Sequence, residues 1–424
     1  MKKILIFLLL IILIGGGYYI YNNIYLPSLI PTIEPEKNNS ATISKLYIYG
    51  TNLNLEGNIT KINAKYTDLK LVLFRPKDGK EKEYDINYSK NVNTVKFNIS
   101  DEINNGIYLD KIKEGDYEFY LKFTYEKNKE KTYKYYSLNN TTDYNKTTYY
   151  TTSKYNKKIT ISKNVNTITL KTKENTDKEI YDIVIDAQAG GKDAGVTGNG
   201  YKEKDITMEY ANILKEKLEK QKIKVKLTRT NDSLGDNDYF DESNDGGRAV
   251  IAREVNAKYL FSFELNKNSN SNTKGLAIYT ATNINYDLAT KLVKNITEKT
   301  NITTSTSSYT RIDYGIYSHN FTEREVSENM YYYDQRKYKR YNVTTNSNYM
   351  YMIRESGGII TGAYVDDSNP EKVGVNKYYK SNVGTEAYVI ILGYISNKED
   401  IDIIVNKKDD YINAIADAII EKLK

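Results

Sequence analysis

The chain has 424 residues, of which 39% are hydrophobic and 27% are charged, enough for more than one globular domain. The net charge is +6, but acidic and basic residues alternate along most of the sequence without a dense basic patch, which argues against nucleic-acid binding. Because the chain has no cysteine, disulfides, thiol nucleophiles and thiolate metal sites are excluded.

The N-terminal segment is apolar. Two lysines precede an apolar run from Ile4 to Ile14, which glycines and tyrosines extend to Tyr21. About 18 such residues are enough to cross a bilayer, and the two lysines favour a cytoplasmic N-terminus. We therefore predict a signal anchor over residues 1–26, a single-pass location in the cell membrane, and an extracytoplasmic position for the rest of the chain. A cleaved signal peptide is the alternative.

The next two segments are predicted to be a linker and a β-sandwich. Residues 27–45 hold three of the chain's five prolines and are predicted to be extended. Over residues 46–173, apolar and polar residues alternate with a period of two between turn signals, which predicts an antiparallel, immunoglobulin-like sandwich. It has no cluster of site-like residues, so we expect a spacer or adhesion module. The repetitive stretch at 138–156 is predicted to form a loop or an irregular edge.

Residues 179–424 have a different pattern, in which apolar strands alternate with amphipathic helices. EIYDIVIDA is a continuous apolar run, typical of a strand that is buried on both faces. Further strand–helix pairs lead to the strand EAYVIILGYI and the final helix, which predicts an α/β domain with a mostly parallel sheet. Residues 300–383 are rich in Tyr and Asn. They are expected to carry local structure or a specific surface, since so long a structureless loop is unusual.

Candidate site residues follow the predicted strands, because ligands of such sheets bind beyond the carboxyl ends of the strands. Gln188 follows the first strand within IVIDAQAGGKDAG, Glu203 lies at the start of the first helix, and Glu264 follows the segment YLFSF. These side chains and the strand EAYVIIL are expected to form the site.

These segments resemble the zinc-dependent N-acetylmuramoyl-L-alanine amidases of bacterial cell-wall remodelling, of the amidase_3 type. IVIDAQAGGKDAG resembles the family's opening Ile-Asp-Pro-Gly-His-Gly-Gly-x-Asp motif, and GNGYKEKDI resembles its Gly-x-x-Glu-Lys-Asp segment. RAVIAREVNAKYLFSFELN and VIILGYISNKED are similar to two further segments in the same order. The resemblance spans about residues 179–424 and implies the family's α/β fold and its link to peptidoglycan.

The resemblance also implies a zinc site, in which two histidines and a glutamate bind the metal and a second glutamate is the general base. In this chain the two histidine positions fall on Gln188 and Glu264, the glutamate ligand on Glu203, and the general base on Ile391. Glu203 alone matches the family residue. The single histidine, His319, lies outside the matching segments.

We therefore predict a domain without zinc and without catalytic residues. Glu386, another acid on the last strand, is at an odd offset from Ile391 and is expected to face the opposite side. The oxygen ligands at the three vestigial metal positions favour Mg²⁺, Ca²⁺ or Mn²⁺ over zinc, so weak binding of such an ion stays open. A polar pocket that holds water or a peptide group is the alternative.

Much of the remaining family pattern is present, which implies either a need for folding or a retained groove. Arg248, Asn266 and Asn397 match the family motifs. Arg354 and Tyr364 lie in NYMYMIRESGGIITGAYVDD, which resembles a segment that borders the groove in some amidases. These five residues are the predicted contacts to the ligand.

The predicted function is to bind peptidoglycan or regulate cell-wall remodelling, with peptidoglycan, a stem peptide or a cell-wall enzyme as the partner. The first alternative is an active peptidoglycan amidase with an unusual metal site. The second alternative is a purely structural envelope protein.

Overall fold

The computed structural model describes residues 14–19, 30–91, 93–104, 106–140, 146–164, 167–232, 248–282, 284–306, 309–336, 343–363 and 381–424. Its strands and helices form a β-rich region, residues 41–174, and an α/β region, residues 183–423. The first strand begins at Ala41, inside the stretch predicted as a linker. The predicted domain limits 27–45, 46–173 and 179–424 stay predictions.

The β-rich region contains mainly antiparallel strands with two short helical turns. Its elements are β1 (Ala41–Tyr49), β2 (Asn52–Thr60), β3 (Tyr66–Arg75), β4 (Lys80–Asp85), β5 (Asn87–Asn91), β6 (Thr94–Ile99), α1 (Asp101–Asn104), β7 (Ile107–Tyr108), a 3-10 turn (Leu109–Lys111), β8 (Gly115–Lys127), β9 (Glu130–Asn140), β10 (Lys146–Tyr150), β11 (Lys157–Asn164) and β12 (Thr167–Glu174).

These strands form two connected layers around one hydrophobic core. In one layer β2 pairs with β1 and β6, and in the other β8 pairs with β3, β9 and β12. Side chains alternate between the two faces of a strand, so Phe119, Leu121 and Phe123 of β8 all point into the core. The β-rich prediction is confirmed, and the immunoglobulin-like plan stays a prediction. Within 138–156, β10 forms an edge strand, and residues 141–145 lie outside the described residues.

The α/β region contains a sheet with helices on both faces. Its elements are β13 (Ile183–Ala187), β14 (Thr197–Gly198), β15 (Tyr201–Lys202), α2 (Glu203–Lys220), β16 (Val225–Leu227), α3 (Arg248–Glu254), β17 (Tyr259–Asn266), β18 (Ala277–Tyr279), α4 (Asp287–Thr300), β19 (Thr310–Asp313), β20 (Ile316–Ser318), α5 (Glu323–Arg336), α6 (Tyr351–Gly357), a 3-10 turn (Gly358–Thr361), β21 (Val383–Gly384), β22 (Glu386–Tyr394), α7 (Lys398–Asn406) and α8 (Lys408–Leu423).

The main sheet has the strand order β16-β13-β17-β22-β18-β20-β19. The first four strands are parallel to one another, whereas β18 is antiparallel to β22 and β19 is antiparallel to β20. The sheet is therefore mixed, which refines the prediction of a mostly parallel one. Helices α2, α4, α7 and α8 cover one face, and α3 and α6 pack on the other. Burial on both faces explains the continuous apolar runs of β13 and β22.

The prediction of a single-pass location in the cell membrane is wrong. Within the residues that the structure describes, no helix is long and apolar enough to cross a membrane. Residues 14–19 are the described part of the predicted anchor and are helical. Residues 1–13 and 20–29 lie outside the described part.

Candidate functional site

The carboxyl ends of β13, β17 and β22 lie side by side, and they position three of the predicted residues. Gln188 follows β13, and its backbone N–H donates to the carbonyl of Phe263 at 3.2 Å. Glu264 on β17 is directly opposite Ile391 on β22 in the parallel register. Glu264 is half-buried and Ile391 is 2% exposed. The structure therefore brings these positions to one edge of the sheet.

Glu203 is the first residue of α2, and its side chain reaches the same edge. Oε1 accepts a hydrogen bond from the backbone N–H of Leu265 at 2.7 Å, and Oε2 accepts one from Val196 at 2.8 Å. Burial raises the pKa of Glu203, and these two hydrogen bonds act in the opposite direction. Both carboxylate oxygens are thus used to join the turn before α2 to the end of β17.

The turn before α2 requires glycine at position 195. Gly195 has a φ of +64°, a left-handed conformation that glycine adopts without steric cost. A Cβ at this position would clash with the carboxylate of Glu203 and lie 3.0 Å from the Cβ of Ala189. The glycine therefore permits the close approach of Glu203 to the strand ends.

A buried ion pair lies next to Gln188. Arg248 Nε donates to Asp186 Oδ1 at 2.8 Å, and Nη2 donates to Oδ2 at 2.6 Å. The hydroxyls of Ser262 and Thr228 donate to the same carboxylate, each at 2.7 Å. Burial alone would raise the pKa of Asp186, but the charge of Arg248 and these hydrogen bonds outweigh it and hold the pKa below its usual value. The carboxylate is therefore ionised and well solvated by the protein.

The same guanidinium also determines the orientation of Gln188. Arg248 Nη2 donates a further hydrogen bond to Gln188 Oε1. On the other side, the hydroxyl of Thr207 in α2 donates to the backbone carbonyl of Gln188 at 2.8 Å. The amide of Gln188 is thus held by a cation from α3 while its backbone is held by α2. Sequence reasoning matched Arg248 to the family motif but did not predict this contact.

Arg229 is a functional-site neighbour that sequence reasoning missed. It follows β16 and is 5% exposed. Its Nε donates to the carbonyl of Ala187 at 3.0 Å, and its Nη2 donates to that of Lys204 at 2.7 Å. Arg229 therefore ties the end of β13 to the first turn of α2. The available signal was its position at the end of the predicted strand IKVKLTR, where a charged residue reaches the same edge.

Two of the predicted ligand contacts have structural roles at this edge. Asn397 is the N-cap of α7, because its Oδ1 accepts a hydrogen bond from the N–H of Asp400 at 3.0 Å. Its Nδ2 donates to the carbonyl of Ser271 at 2.7 Å. The backbone carbonyl of Asn266 accepts from Ile395 at 2.7 Å. These contacts account for the presence of Asn397 without a ligand.

Arg354 forms hydrogen bonds within its own segment. Its guanidinium is 5% exposed and donates from Nη1 to the carbonyls of Asn348 at 2.7 Å and Tyr349 at 3.0 Å. Nε donates to Glu355 at 3.1 Å. The structure therefore places Arg354 within its own segment, where it stabilises the start of α6. Tyr364, the other residue predicted from this stretch, lies outside the described residues.

The single histidine is away from the strand ends. His319 follows β20, which β22 and β18 separate from β17. Its Nε2 lies 2.9 Å from Glu325, and its ring stacks on Tyr309 with a centroid distance of 4.5 Å. Across the part of the chain that the structure describes, no group of three or more His, Cys, Asp or Glu residues is arranged to hold a metal ion.

Known proteins similar to this chain are amidases. The catalytic domain of CwlV, an N-acetylmuramoyl-L-alanine amidase from Bacillus (Paenibacillus) polymyxa var. colistinus, is 19% identical, with 57% of this chain and 98% of that chain covered and a TM-score of 0.37. AmiC2 of Nostoc punctiforme is 20% identical, with 58% and 99% covered and a TM-score of 0.36. The CwlD amidase from Clostridioides difficile, solved in complex with the GerS lipoprotein, is 18% identical, with 56% and 94% covered and a TM-score of 0.35.

No curated protein matches the sequence. The family described as Amidase_3, N-acetylmuramoyl-L-alanine amidase, matches residues 183–423, which are more than half of the chain. The protein therefore belongs to the N-acetylmuramoyl-L-alanine amidase family.

Proposed function

We propose that the protein binds peptidoglycan at the strand ends of its α/β region and does not hydrolyse it. The observation that carries this proposal is the hydrogen bond from Arg248 to Gln188 Oε1. Gln188 is at the position of the family's first histidine, and its acceptor oxygen is already engaged by a guanidinium. The positive charge of Arg248, in hydrogen-bond contact with Gln188, also repels a metal cation that would bind there. The contact therefore supports a pocket that works without a metal.

Zinc does not fit the side chains at the three matching ligand positions. Protein zinc sites use Cys, His and carboxylate ligands in a tetrahedral arrangement. Here Gln188 is an amide bonded to Arg248, and both oxygens of Glu203 accept backbone hydrogen bonds. Glu264 is a half-buried carboxylate, and one carboxylate alone does not make a tetrahedral zinc site. Because both oxygens of Glu203 already accept backbone hydrogen bonds, a weak Mg²⁺, Ca²⁺ or Mn²⁺ site is also disfavoured.

The position of the general base also supports binding without turnover. Hydrolysis of an amide by water needs a side chain that accepts the proton of the water. Ile391 packs with Val389 in an apolar cluster on one face of β22. Glu386 is on the opposite face, where it accepts a hydrogen bond from Tyr388. Glu386 is therefore not placed to replace the missing base.

The polar groups at the strand ends support the choice of ligand. Peptidoglycan is the ligand that family membership implies for this edge. The side-chain amide of Gln188 can donate hydrogen bonds and the carboxylate of Glu264 can accept them, which suits the peptide groups of a stem peptide. In this proposal the β-rich region is an immunoglobulin-like spacer, and a cell-wall enzyme is the alternative partner.

The proposal is tested by incubating the purified full chain with insoluble peptidoglycan. We expect the protein in the pellet and no cleavage of the bond between muramic acid and alanine. Glu264→Ala should reduce retention several-fold, because it removes a carboxylate at the strand ends. Glu298→Ala, which changes an exposed residue of α4, is the matched control and should be retained like the unmodified protein.

Two outcomes contradict the proposal. Cleavage of that bond by the unmodified protein overturns the prediction that the protein is inactive. If Glu203→Ala abolishes this cleavage and the unmodified protein contains a bound metal, the protein is an active amidase. Recovery of the unmodified protein in the supernatant overturns peptidoglycan binding. That result favours a structural role or a protein partner.

A further inference from the structure

A cavity lies where the β-rich region meets the α/β region. Its volume is about 340 Å³. Tyr149, Tyr150 and Lys158 line it from the β-rich side. Arg253, Lys258 and Thr385 line it from the α/β side. The cavity therefore belongs to neither region alone, and Gln188, Glu203 and Glu264 are not among its lining residues.

The walls of this cavity are held by contacts between the two regions. Strand β1 pairs in parallel with β21, and the N–H of Gly50 donates to the carbonyl of Gly384 at 3.0 Å. The hydroxyl of Tyr149 donates to the carbonyl of Gly50 at 3.3 Å. On the α/β side, the hydroxyl of Thr385 donates to the carbonyl of Ala257 at 3.0 Å. Backbone carbonyls on both sides of the cavity are thus held in place by hydrogen bonds.

The charged side chains in the lining are all basic. Lys258 is 2% exposed, and its Nζ lies 4.9 Å from the centroid of the Tyr149 ring. Arg253 is 7% exposed, and Lys158 pairs with Asp177. No aspartate or glutamate is among the described lining residues. Three basic residues therefore line one small space, and Lys158 among them is already paired with Asp177.

The two acids whose charges raise the pKa of Lys258, Asp110 and Asp182, are engaged by other groups. Asp110 accepts hydrogen bonds from the backbone and hydroxyl of Thr152. Asp182 accepts from the backbone and hydroxyl of Ser153, at 2.6 and 2.5 Å. Burial lowers the pKa of Lys258 to about 8, although Asp110 and Asp182 act in the opposite direction. The ammonium of Lys258 also donates a hydrogen bond to the backbone carbonyl of Asn256 but forms no ion pair with either of these carboxylates among the described contacts.

We propose that this cavity binds a small anionic group, a carboxylate or a phosphate, through Lys258, Arg253 and Lys158. Charge-assisted hydrogen bonds to an oxyanion are strong, and arginine can bind two oxygens of such a group at once. The hydroxyl of Tyr150, which also lines the cavity, adds a further donor. The volume lies at the lower end of the range for small-molecule sites, about 300–1,000 Å³. The anion contacts both regions and so stabilises their junction.

This site is independent of peptidoglycan binding at the strand ends. A ligand that binds only the folded protein raises its unfolding temperature in a saturable way. The test is thermal unfolding of the full chain with increasing inorganic phosphate or acetate, while sodium chloride keeps the ionic strength constant. We expect a saturable rise with at least one of the two anions. A rise with phosphate alone assigns a phosphate ligand, and a rise with acetate assigns a carboxylate ligand.

Substitutions locate the site. Lys158→Gln should weaken the apparent affinity about tenfold, the effect of losing one charge-assisted hydrogen bond. Lys258→Met should weaken it at least as much. If that variant does not fold, Lys158→Gln decides alone. Lys171→Gln on the adjacent strand β12, where the lysine side chain is 64% exposed, is the matched control and should keep the original affinity.

Two results overturn the proposal. The first is the absence of a saturable rise with either anion at constant ionic strength. The second is a saturable rise whose midpoint is the same in Lys158→Gln as in the unmodified protein, because the anion would then bind elsewhere.

Discussion

Two buried carboxylates lie in the same sheet, one near each end, and their surroundings differ. Asp186 is near the carboxyl end of β13 and pairs with Arg248. Glu386 begins β22 at the other end, where it accepts a hydrogen bond from Tyr388. Its Oε2 has no hydrogen-bond partner among the described residues. Burial raises the pKa of Glu386 to about 7, with the distant charge of Lys422 opposing it.

The difference shows two ways of burying an acid. At the strand ends the protein keeps the carboxylate charged and supplies a cation from α3. At the opposite end, next to the β-rich region, burial favours the neutral acid. The Asp186 network contributes to folding whether or not the neighbouring residues catalyse a reaction. The presence of Arg248 and the glycine-rich turn is therefore not by itself evidence of activity.

The largest effect is expected at the Asp186 end. Arg248→Met leaves a buried carboxylate without its cation and should lower the free energy of unfolding by roughly 3–5 kcal/mol. Urea denaturation followed by circular dichroism measures this loss. The control is the double variant Arg248→Met with Asp186→Asn, which should lose less than the sum of the two single variants. Additive losses would contradict a coupled ion pair.

At the Glu386 end, a substitution should raise the free energy of unfolding instead of lowering it, and the size of this effect should depend on pH. The folded state holds a proton between pH 4.5 and about 7 that the unfolded state releases, so stability falls as the pH rises through this window. Glu386→Gln should therefore be more stable than the unmodified protein at pH 8, by up to roughly 3 kcal/mol. At pH 4 the two should be nearly equal.

Urea denaturation of Glu386→Gln and of the unmodified protein at pH 4 and pH 8 measures the difference in their free energies of unfolding. Glu298→Gln, at an exposed position of α4, is the control and should show no such dependence. If the free energies of unfolding of Glu386→Gln and the unmodified protein differ by the same amount at both pH values, burial does not raise the pKa of Glu386.

A smaller effect is expected at the turn that positions Glu203. Gly195→Ala should cost roughly 1–3 kcal/mol, because it strains the backbone and forces the carboxylate of Glu203 to move. Gly200→Ala is a matched control, since Gly200 has a φ of +82° but no atom within 4 Å of a Cβ. Thermal or urea unfolding should show the larger loss for Gly195→Ala. Equal losses would show that the contact with Glu203 is unimportant.

The smallest effect is expected at the N-cap of α7. Asn397→Ala should cost about 1 kcal/mol, the usual effect of losing a cap. Lys398→Ala, which removes an exposed ion pair with Asp402, should cost less than about 0.5 kcal/mol. Retention on insoluble peptidoglycan should stay unchanged in both folded variants. A selective loss of retention in Asn397→Ala would restore this residue as a ligand contact.

Much of the architecture was predictable because burial leaves a periodic pattern in the sequence. The alternation within β8 and the continuous apolar run of β13 both correspond to observed strands. The antiparallel direction of β18 was not predictable, since a short buried strand has the same pattern in either direction. The single-pass membrane prediction was wrong, because hydropathy alone does not establish a membrane-spanning helix.

The sequence by itself determined which residues are at the four family positions, and a chain with one histidine has no pair of histidines for a zinc site. It also placed Gln188 directly after a strand, as observed, whereas β17 continues through Glu264 to Asn266, beyond the predicted end. Only the tertiary structure decided the partners of the buried charges. Arg248 meets Asp186 across 62 positions, and Lys258 faces Tyr149 from another region. Such contacts depend on how distant elements pack, and local sequence patterns carry no record of that packing.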